Sequence, residues 1–163
     1  MAHVVLSIGA NLGDREAALQ SVLDAMPGNF HGIRASSVYD TPPWGVLDQP
    51  SFLNAVIAAD TWLTAEQVLA WGQDVEQAAH RERYRQWGPR TLDVDVITYD
   101  DVRSDNPDLT LPHPRAHERA FVLVGIVELD PDAVIPGHGS ARELLQGLDQ
   151  SGIVVHAQLR VPV

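Results

Sequence analysis

The chain has 163 residues and a net charge of -11, long enough for one domain that buries roughly 70% of its unfolded surface. It contains no Cys and its 11 basic residues are all Arg, which excludes disulfides, zinc–thiolate sites, a thiol nucleophile, a Schiff-base lysine and a lysine-dependent phosphate loop. So acidic a balance argues against a general nucleic-acid binder, and no stretch approaches the ~20 apolar residues of a membrane span.

Residues 1–7 lack the charged start and apolar core of a signal peptide, so a cytoplasmic protein is expected. Residues 3–8 read as an apolar strand closed by Gly9-Ala10-Asn11-Leu12-Gly13. Asp14 is a good N-cap for a helix to about 26, stopped by Pro27-Gly28. A second strand is expected over 31–39, ending at the rigid loop Asp40-Thr41-Pro42-Pro43-Trp44-Gly45, and a third over 52–62. Thr64 with Gln67 opens a helix through about 79 as a capping box. The polar run 80–86 reads as a loop, followed by a fourth strand at 91–99. His113-Pro114 then precedes a helix over 115–129; a short helix near 140–148 and an edge strand over 153–159 complete the chain. The order β-α-β-β-α-β fits an α+β, ferredoxin-like sandwich. In it an antiparallel sheet is covered on one face by helices, with C-terminal helices and an edge strand added. One domain over 1–163 is expected, acting as a monomer.

The segment Trp87-Gly88-Pro89-Arg90-Thr91-Leu92-Asp93-Val94-Asp95-Val96-Ile97 carries the chemistry. Alternate side chains of a strand share a face, so Asp93 and Asp95 point one way while Leu92, Val94 and Val96 point the other. Two adjacent carboxylates repel unless a cation lies between them, and Mg²⁺ takes one or two carboxylates together with phosphate oxygens. Arg90 upstream has the planar fork that grips phosphate. A polar strand face turned to water would give the same pattern, and that alternative stands. Seven Arg residues (Arg81, Arg83, Arg85, Arg90, Arg103, Arg115 and Arg119) fall within positions 81–119, as expected around a localised anion. For Arg34, Arg103 and Arg142, pairing with surface carboxylates is the expectation. His113 and His117 have a zinc spacing, but Pro114 and the lack of a third ligand weigh against a metal there.

Read together, Ile8-Gly9-Ala10-Asn11-Leu12-Gly13-Asp14, Tyr39-Asp40-Thr41-Pro42-Pro43, Gln49-Pro50-Ser51-Phe52-Leu53-Asn54-Ala55-Val56, the segment 88–95, Leu111-Pro112-His113-Pro114-Arg115 and Glu118-Arg119-Ala120-Phe121-Val122-Leu123 resemble the 6-hydroxymethyl-7,8-dihydropterin pyrophosphokinase family of folate biosynthesis. The resemblance runs over most of the chain. It implies transfer of pyrophosphate from ATP to the pterin hydroxymethyl group with release of AMP. Asp93 and Asp95 would bind two Mg²⁺ ions, and Arg81, Arg90, Asp93, Asp95 and His113 would form the catalytic set. Leu69, Gln73, Glu76, Arg81, Trp87, Arg90, Val96, Thr110, His113 and Arg119 match positions on the ATP side. Thr41, Pro43, Trp44, Phe52, Asn54, Asp95 and Phe121 match the pterin side, with Asn54 answering the amino-oxo ring edge and the two Phe rings sandwiching it. Ordinary core packing of Phe52 and Phe121 is the alternative. Arg83 falls in the loop the family closes over the phosphates, and Arg83 and Arg85 are equally well read as solvated.

The chain departs from the family pattern in Ala10, where Ser is common, in Phe52, where Tyr is familiar, and in a loop around His80 and Tyr84 that is one residue shorter. Two other readings are weighed. An inactive pterin or nucleotide sensor would not need the full set of Asp93, Asp95, Arg81, Arg90 and His113. An RNA-binding ferredoxin-like domain would need a basic, aromatic sheet.

Overall fold

Along the first strand (β1, Ala2–Ala10), Val4, Leu6, Ile8 and Ala10 are all buried on one face of the sheet. β1 lies antiparallel between β4 (Phe52–Thr61) and β5 (Leu92–Tyr99). The computed structural model describes residues 1–11, 13–41, 51–83 and 92–162, with backbone alone at 80–83. The far edge of β4 is shared by β2 (Phe30–Ala35) and β3 (Val38–Thr41), and β8 (Val154–Ala157) adds an outer edge to β3. The strand order β5-β1-β4-β3-β8, with β2 beside β3, is the expected ferredoxin-like core with an added edge strand.

The single strand expected over 31–39 is divided at Ser36-Ser37. Ser36 N donates to Val56 O at 2.8 Å, and Val56 N donates to Ser36 Oγ at 2.9 Å, so a hydroxyl stands in for a ladder carbonyl. Ser37 N is thereby freed to donate to Glu128 Oε2 at 2.8 Å.

Helix α1 (Arg15–Asp24) is capped by Asp14, whose carboxylate accepts from Ala17 N at 3.1 Å. Helix α2 (Ala65–Arg83) opens on the expected capping box. Gln67 N donates to Thr64 Oγ1 at 3.1 Å and Thr64 N to Gln67 Oε1 at 2.9 Å. It runs past 79 through residues 80–83, which were expected to be loop. No Pro or Gly lies there to stop it, and polar residues with fair helix propensity continue a helix already nucleated.

The helix expected over 115–129 is also divided. A 3₁₀ turn (Ala116–Glu118) and an extended Arg119 precede α3 (Ala120–Leu129), with no Gly or Pro marking the break. A short hairpin not foreseen, β6 (Val134–Ile135) with β7 (Gly139–Ser140), buries Ile135 and leads into α4 (Ala141–Gln146), capped by Ser140.

Contrary to the one-sided covering expected, both faces of the sheet are packed. One face meets α1 and α2 through Leu6, Ile8, Leu53, Ile57, Val94 and Val96. The other meets α3 through Val56, Ile97, Val122, Leu123 and Ile126, with Ala141 of α4 joining the same cluster. Gly125 permits the approach of α3, because a Cβ there would lie 2.5 Å from Val56 Cγ2. Among the described residues no helix is long and apolar enough to cross a membrane.

Candidate active site

Because α3 covers only part of its face, the remainder of that face presents side chains from three adjacent strands. In register across β4, β1 and β5 lie Asn54, Gly9 and Asp93, and in the next row on that face lie Val56, Ser7 and Asp95. Asp93 is exposed and Asp95 half-buried, while Leu92, Val94 and Val96 are buried on the opposite face, as the alternation predicts.

Glu76 reaches β5 from α2. Its Oε2 accepts from Val94 N at 3.4 Å, on the side of β5 away from β1. Burial is the main cause raising the Glu76 pKa above the usual carboxylate range; the Val94 N–H opposes it, and the charges of Asp93 and Asp95 add to it. Among the described residues no three acidic or imidazole groups converge as a complete metal cage, so Asp93 and Asp95 are the pair left to meet a hard divalent ion that takes most of its other ligands from phosphate and water. Leu69 and Gln73 precede Glu76 along one face of α2; Leu69 packs beside the core that holds Val96, and Gln73 is exposed.

His113 approaches from the other side. Its backbone N donates to Ile97 O at 2.8 Å, which fixes it beside the end of β5. Burial holds the imidazole pKa down, Asp95 opposes that, and Arg119 and Arg115 add to it. His113 Nδ1 accepts from Arg115 N at 3.2 Å, so the neutral ring carries its proton on Nε2 as a donor. The extended backbone at Arg119 leaves that residue close enough to act on His113. Thr110 is half-buried, and its hydroxyl donates to Asn106 O at 3.1 Å.

Asn54 is buried, and its Nδ2 donates to Thr41 Oγ1 at 2.8 Å. Phe52 lies two residues before Asn54 on the same strand face, in register with Thr41, and is half-buried. Phe121, also half-buried, sits in the first turn of α3 against the second core cluster. The structure thus brings Asp93, Asp95, His113 and Arg119 to one end of this face, with Thr41, Phe52 and Asn54 along the strands beside them and Glu76 at the outer edge of β5, reached from α2. Pro43, Trp44, Trp87, Arg85 and Arg90 lie outside the described residues, as do the side chains of Arg81 and Arg83.

The His117 ring stacks on His138, with centroids 3.8 Å apart and planes 8° from parallel. Two expectations need correction. Arg34 donates to the Leu129 carbonyl at 3.0 Å rather than pairing with a surface carboxylate. The Arg103 guanidinium lies against the Gly137 turn. One neighbour of the site had no signal in the sequence. Arg15 of α1 donates to Ser51 O at 2.8 Å and to Ser51 Oγ at 3.0 Å, tying down the residue before Phe52.

Residues 5–131 match the family model described as 7,8-dihydro-6-hydroxymethylpterin-pyrophosphokinase (HPPK). The chain belongs to this family. It is 44% identical over 156 residues to the 2-amino-4-hydroxy-6-hydroxymethyldihydropteridine pyrophosphokinase of Methylorubrum extorquens, covering 94% of this chain and 98% of the relative. It is 45% identical over 152 residues to the enzyme of that name from Mycobacterium tuberculosis, covering 87% and 80% respectively. Among solved structures, an HPPK-DHPS triple mutant of Plasmodium falciparum superposes with a TM-score of 0.69 at 14% identity, a likeness of fold. That alignment covers 89% of this chain and 44% of the longer one. The HPPK match contains Asn54, Asp93, Asp95, His113 and Phe121, so every described part of the site lies within it.

Proposed function

We propose that the open sheet face between β5 and α3 is where this pyrophosphokinase of folate biosynthesis transfers pyrophosphate from ATP to 6-hydroxymethyl-7,8-dihydropterin. The observation that carries the proposal is the single row Asn54–Gly9–Asp93 across three strands. It sets a carboxamide able to read a ring edge beside carboxylates able to hold a metal–phosphate complex.

In the reaction the pterin hydroxymethyl oxygen bonds to the β-phosphorus, the bridge from that phosphorus to the α-phosphate breaks, and AMP leaves with the bonding electrons. The hydroxyl proton passes to solvent. Such chemistry needs positioning and neutralisation of charge more than covalent help from the protein. Asp93 and Asp95, on a strand fixed by its ladder and core, are the residues that would hold Mg²⁺, with two ions expected alongside the triphosphate. Bound there, the metal would supply positive charge to offset the charge of the triphosphate and of the departing AMP.

The other roles belong to the chain itself. His113 offers its Nε2–H to a phosphate oxygen, and Arg81, Arg90 and Arg119 supply fixed positive charge. Leu69, Gln73, Glu76, Trp87, Val96 and Thr110 form the nucleotide side. Asn54 meets the amino-oxo edge of the pterin, Phe52 and Phe121 stack on its faces, and Thr41, Pro43 and Trp44 complete its surround. Residues 1–163 act as one domain, a cytoplasmic monomer whose partners are ATP and the pterin.

Incubation with Mg²⁺, ATP and 6-hydroxymethyl-7,8-dihydropterin is expected to yield AMP and the pterin diphosphate in equal amounts. ADP as the nucleotide product, or no turnover, overturns the proposal.

A further inference from the structure

We propose that the Thr41 hydroxyl is a positioning group that decides which way round the Asn54 carboxamide faces, and hence which ring edge the site accepts. The inference rests on the pterin reading of this face given above. A carboxamide can be turned over at little steric cost, because its oxygen and nitrogen are nearly equal in size; only hydrogen bonding settles its orientation. Asn54 is buried, and it meets Thr41 Oγ1 at 2.8 Å. Thr41 Oγ1 also lies 3.4 Å from the Phe52 carbonyl oxygen, an atom that can only accept. A hydroxyl has one proton, and the carbonyl claims it. Thr41 is left with lone pairs toward Asn54, so it receives an N–H and the amide nitrogen must face it.

The amide oxygen then points away, to Gly9, its in-register neighbour on β1. A Cβ at Gly9 would stand 2.7 Å from Asn54 Oδ1, closer than van der Waals contact permits, so glycine leaves room for the far atom of the amide. The relay from Asn54 through Thr41 to the Phe52 carbonyl then fixes which atom that is. A ligand sees one acceptor, Oδ1, and the second Nδ2–H in an unvarying order.

That order selects among flat heterocycles. A 2-amino-4-oxo ring presents, in sequence, the 4-oxo acceptor, the N3–H donor, the 2-amino donor and the N1 acceptor. Replacing the 4-oxo group by amino reverses the first donor–acceptor pair, and replacing the 2-amino group by oxo reverses the second. An amide locked in one orientation rejects whichever reversal falls on the pair it reads, because buried groups of like kind would then face each other.

The test is titration calorimetry on the whole chain with 6-hydroxymethyl-7,8-dihydropterin and its 2,4-diamino and 2,4-dioxo analogues. The unaltered protein is expected to bind the pterin at least about tenfold more tightly than one of the analogues. In Thr41→Val, which keeps the shape and loses the hydroxyl, that ratio should collapse; Thr41→Ser should restore it. An unchanged ratio in Thr41→Val, or equal binding of all three rings by the unaltered protein, overturns the proposal while the pterin reading stands. Failure of the unaltered protein to bind the pterin removes the reading itself, and the proposal with it. Gly9→Ala supplies a second arm should Thr41→Val not fold. The added methyl displaces Oδ1, so pterin affinity falls by about tenfold while affinity for a non-hydrolysable ATP analogue holds. Undiminished pterin affinity in that variant counts against the proposal.

Discussion

At the scale of single residues, the two carboxylates of β5 and the imidazole beside them make the sharpest claims. Asp95 is half-buried on the strand face, close enough to Glu76 and His113 to alter the proton affinity of both. Removing its charge should leave the strand intact, because Val94 and Val96 on the opposite face supply the burial. Asp95→Ala is therefore expected to lower turnover by at least about 100-fold with an unchanged circular dichroism spectrum. Near-normal AMP release from that variant would remove the metal role. His113 gives a pH signature. Its ordinary value is 6.5, and burial lowers it, so the folded protein takes up this proton less readily than the unfolded chain does. The stability associated with neutral His113 is thus fully present above 6.5 and lost as the pH falls below it. An NMR titration of the metal-free protein should place the His113 midpoint below 6.5 and move it upward when an anionic ATP analogue binds; a midpoint above 6.5 in the free protein contradicts the burial argument.

At the scale of elements, the position of α3 on β4 decides how much of the sheet face stays open. Gly125 is the contact point. Alanine there would gain about 1 kcal/mol of intrinsic helix propensity. Its Cβ, however, would lie 2.5 Å from Val56 Cγ2 and 2.8 Å from Val56 Cβ, and overpacking of a dense core typically costs about 1–3 kcal/mol. Overpacking wins, because a Cβ cannot rotate away and Val56 is held in the sheet. Gly125→Ala should lower the urea midpoint, and Val56→Ala in the same chain should recover part of the loss; a rise in midpoint for the single variant would show that α3 has freedom to move outward. Elements whose boundaries rest on local chemistry were legible from sequence, as with the Thr64–Gln67 box and the Asp14 cap. The break at Arg119 and the division at Ser36-Ser37 were not, because Ser36 leaves the ladder only for partners on β4 and Ser37 for one on α3, both distant in sequence.

At the scale of the whole molecule, the sheet is held from both faces, and its outer edge is fastened by the C-terminal stretch. Gln158 donates to Ser37 Oγ at 2.7 Å, and Gln20 exchanges hydrogen bonds with the backbone of Arg160 at 2.8 and 2.9 Å. None of these fastenings, nor the two core clusters, involves Asp93 or Asp95. Stripping divalent ions with EDTA should therefore leave the melting temperature and secondary structure nearly unchanged while halting AMP release. Added Mg²⁺ with a non-hydrolysable ATP analogue should raise the melting temperature in proportion to ligand excess, since ligand binding favours the folded state. Collapse of the fold in EDTA would mean that the ion has a structural place in the protein.

The sequence by itself determined the strand–helix order, the shared face of Asp93 and Asp95 and the family, because periodicity, caps and contiguous motifs are local properties of a chain. It also picked out Asn54, Phe52, His113 and Phe121 through motifs in separate segments. Only the tertiary structure decided that α3 closes the second face of the sheet. Only the strand register could set Asn54, Gly9 and Asp93 in one row. The same is true of the hydrogen-bond chain from Asn54 through Thr41 to the Phe52 carbonyl and of the Arg15 tie to Ser51. Each depends on atoms brought together from distant parts of the chain, and the geometry that joins them is set by packing and strand register rather than by spacing.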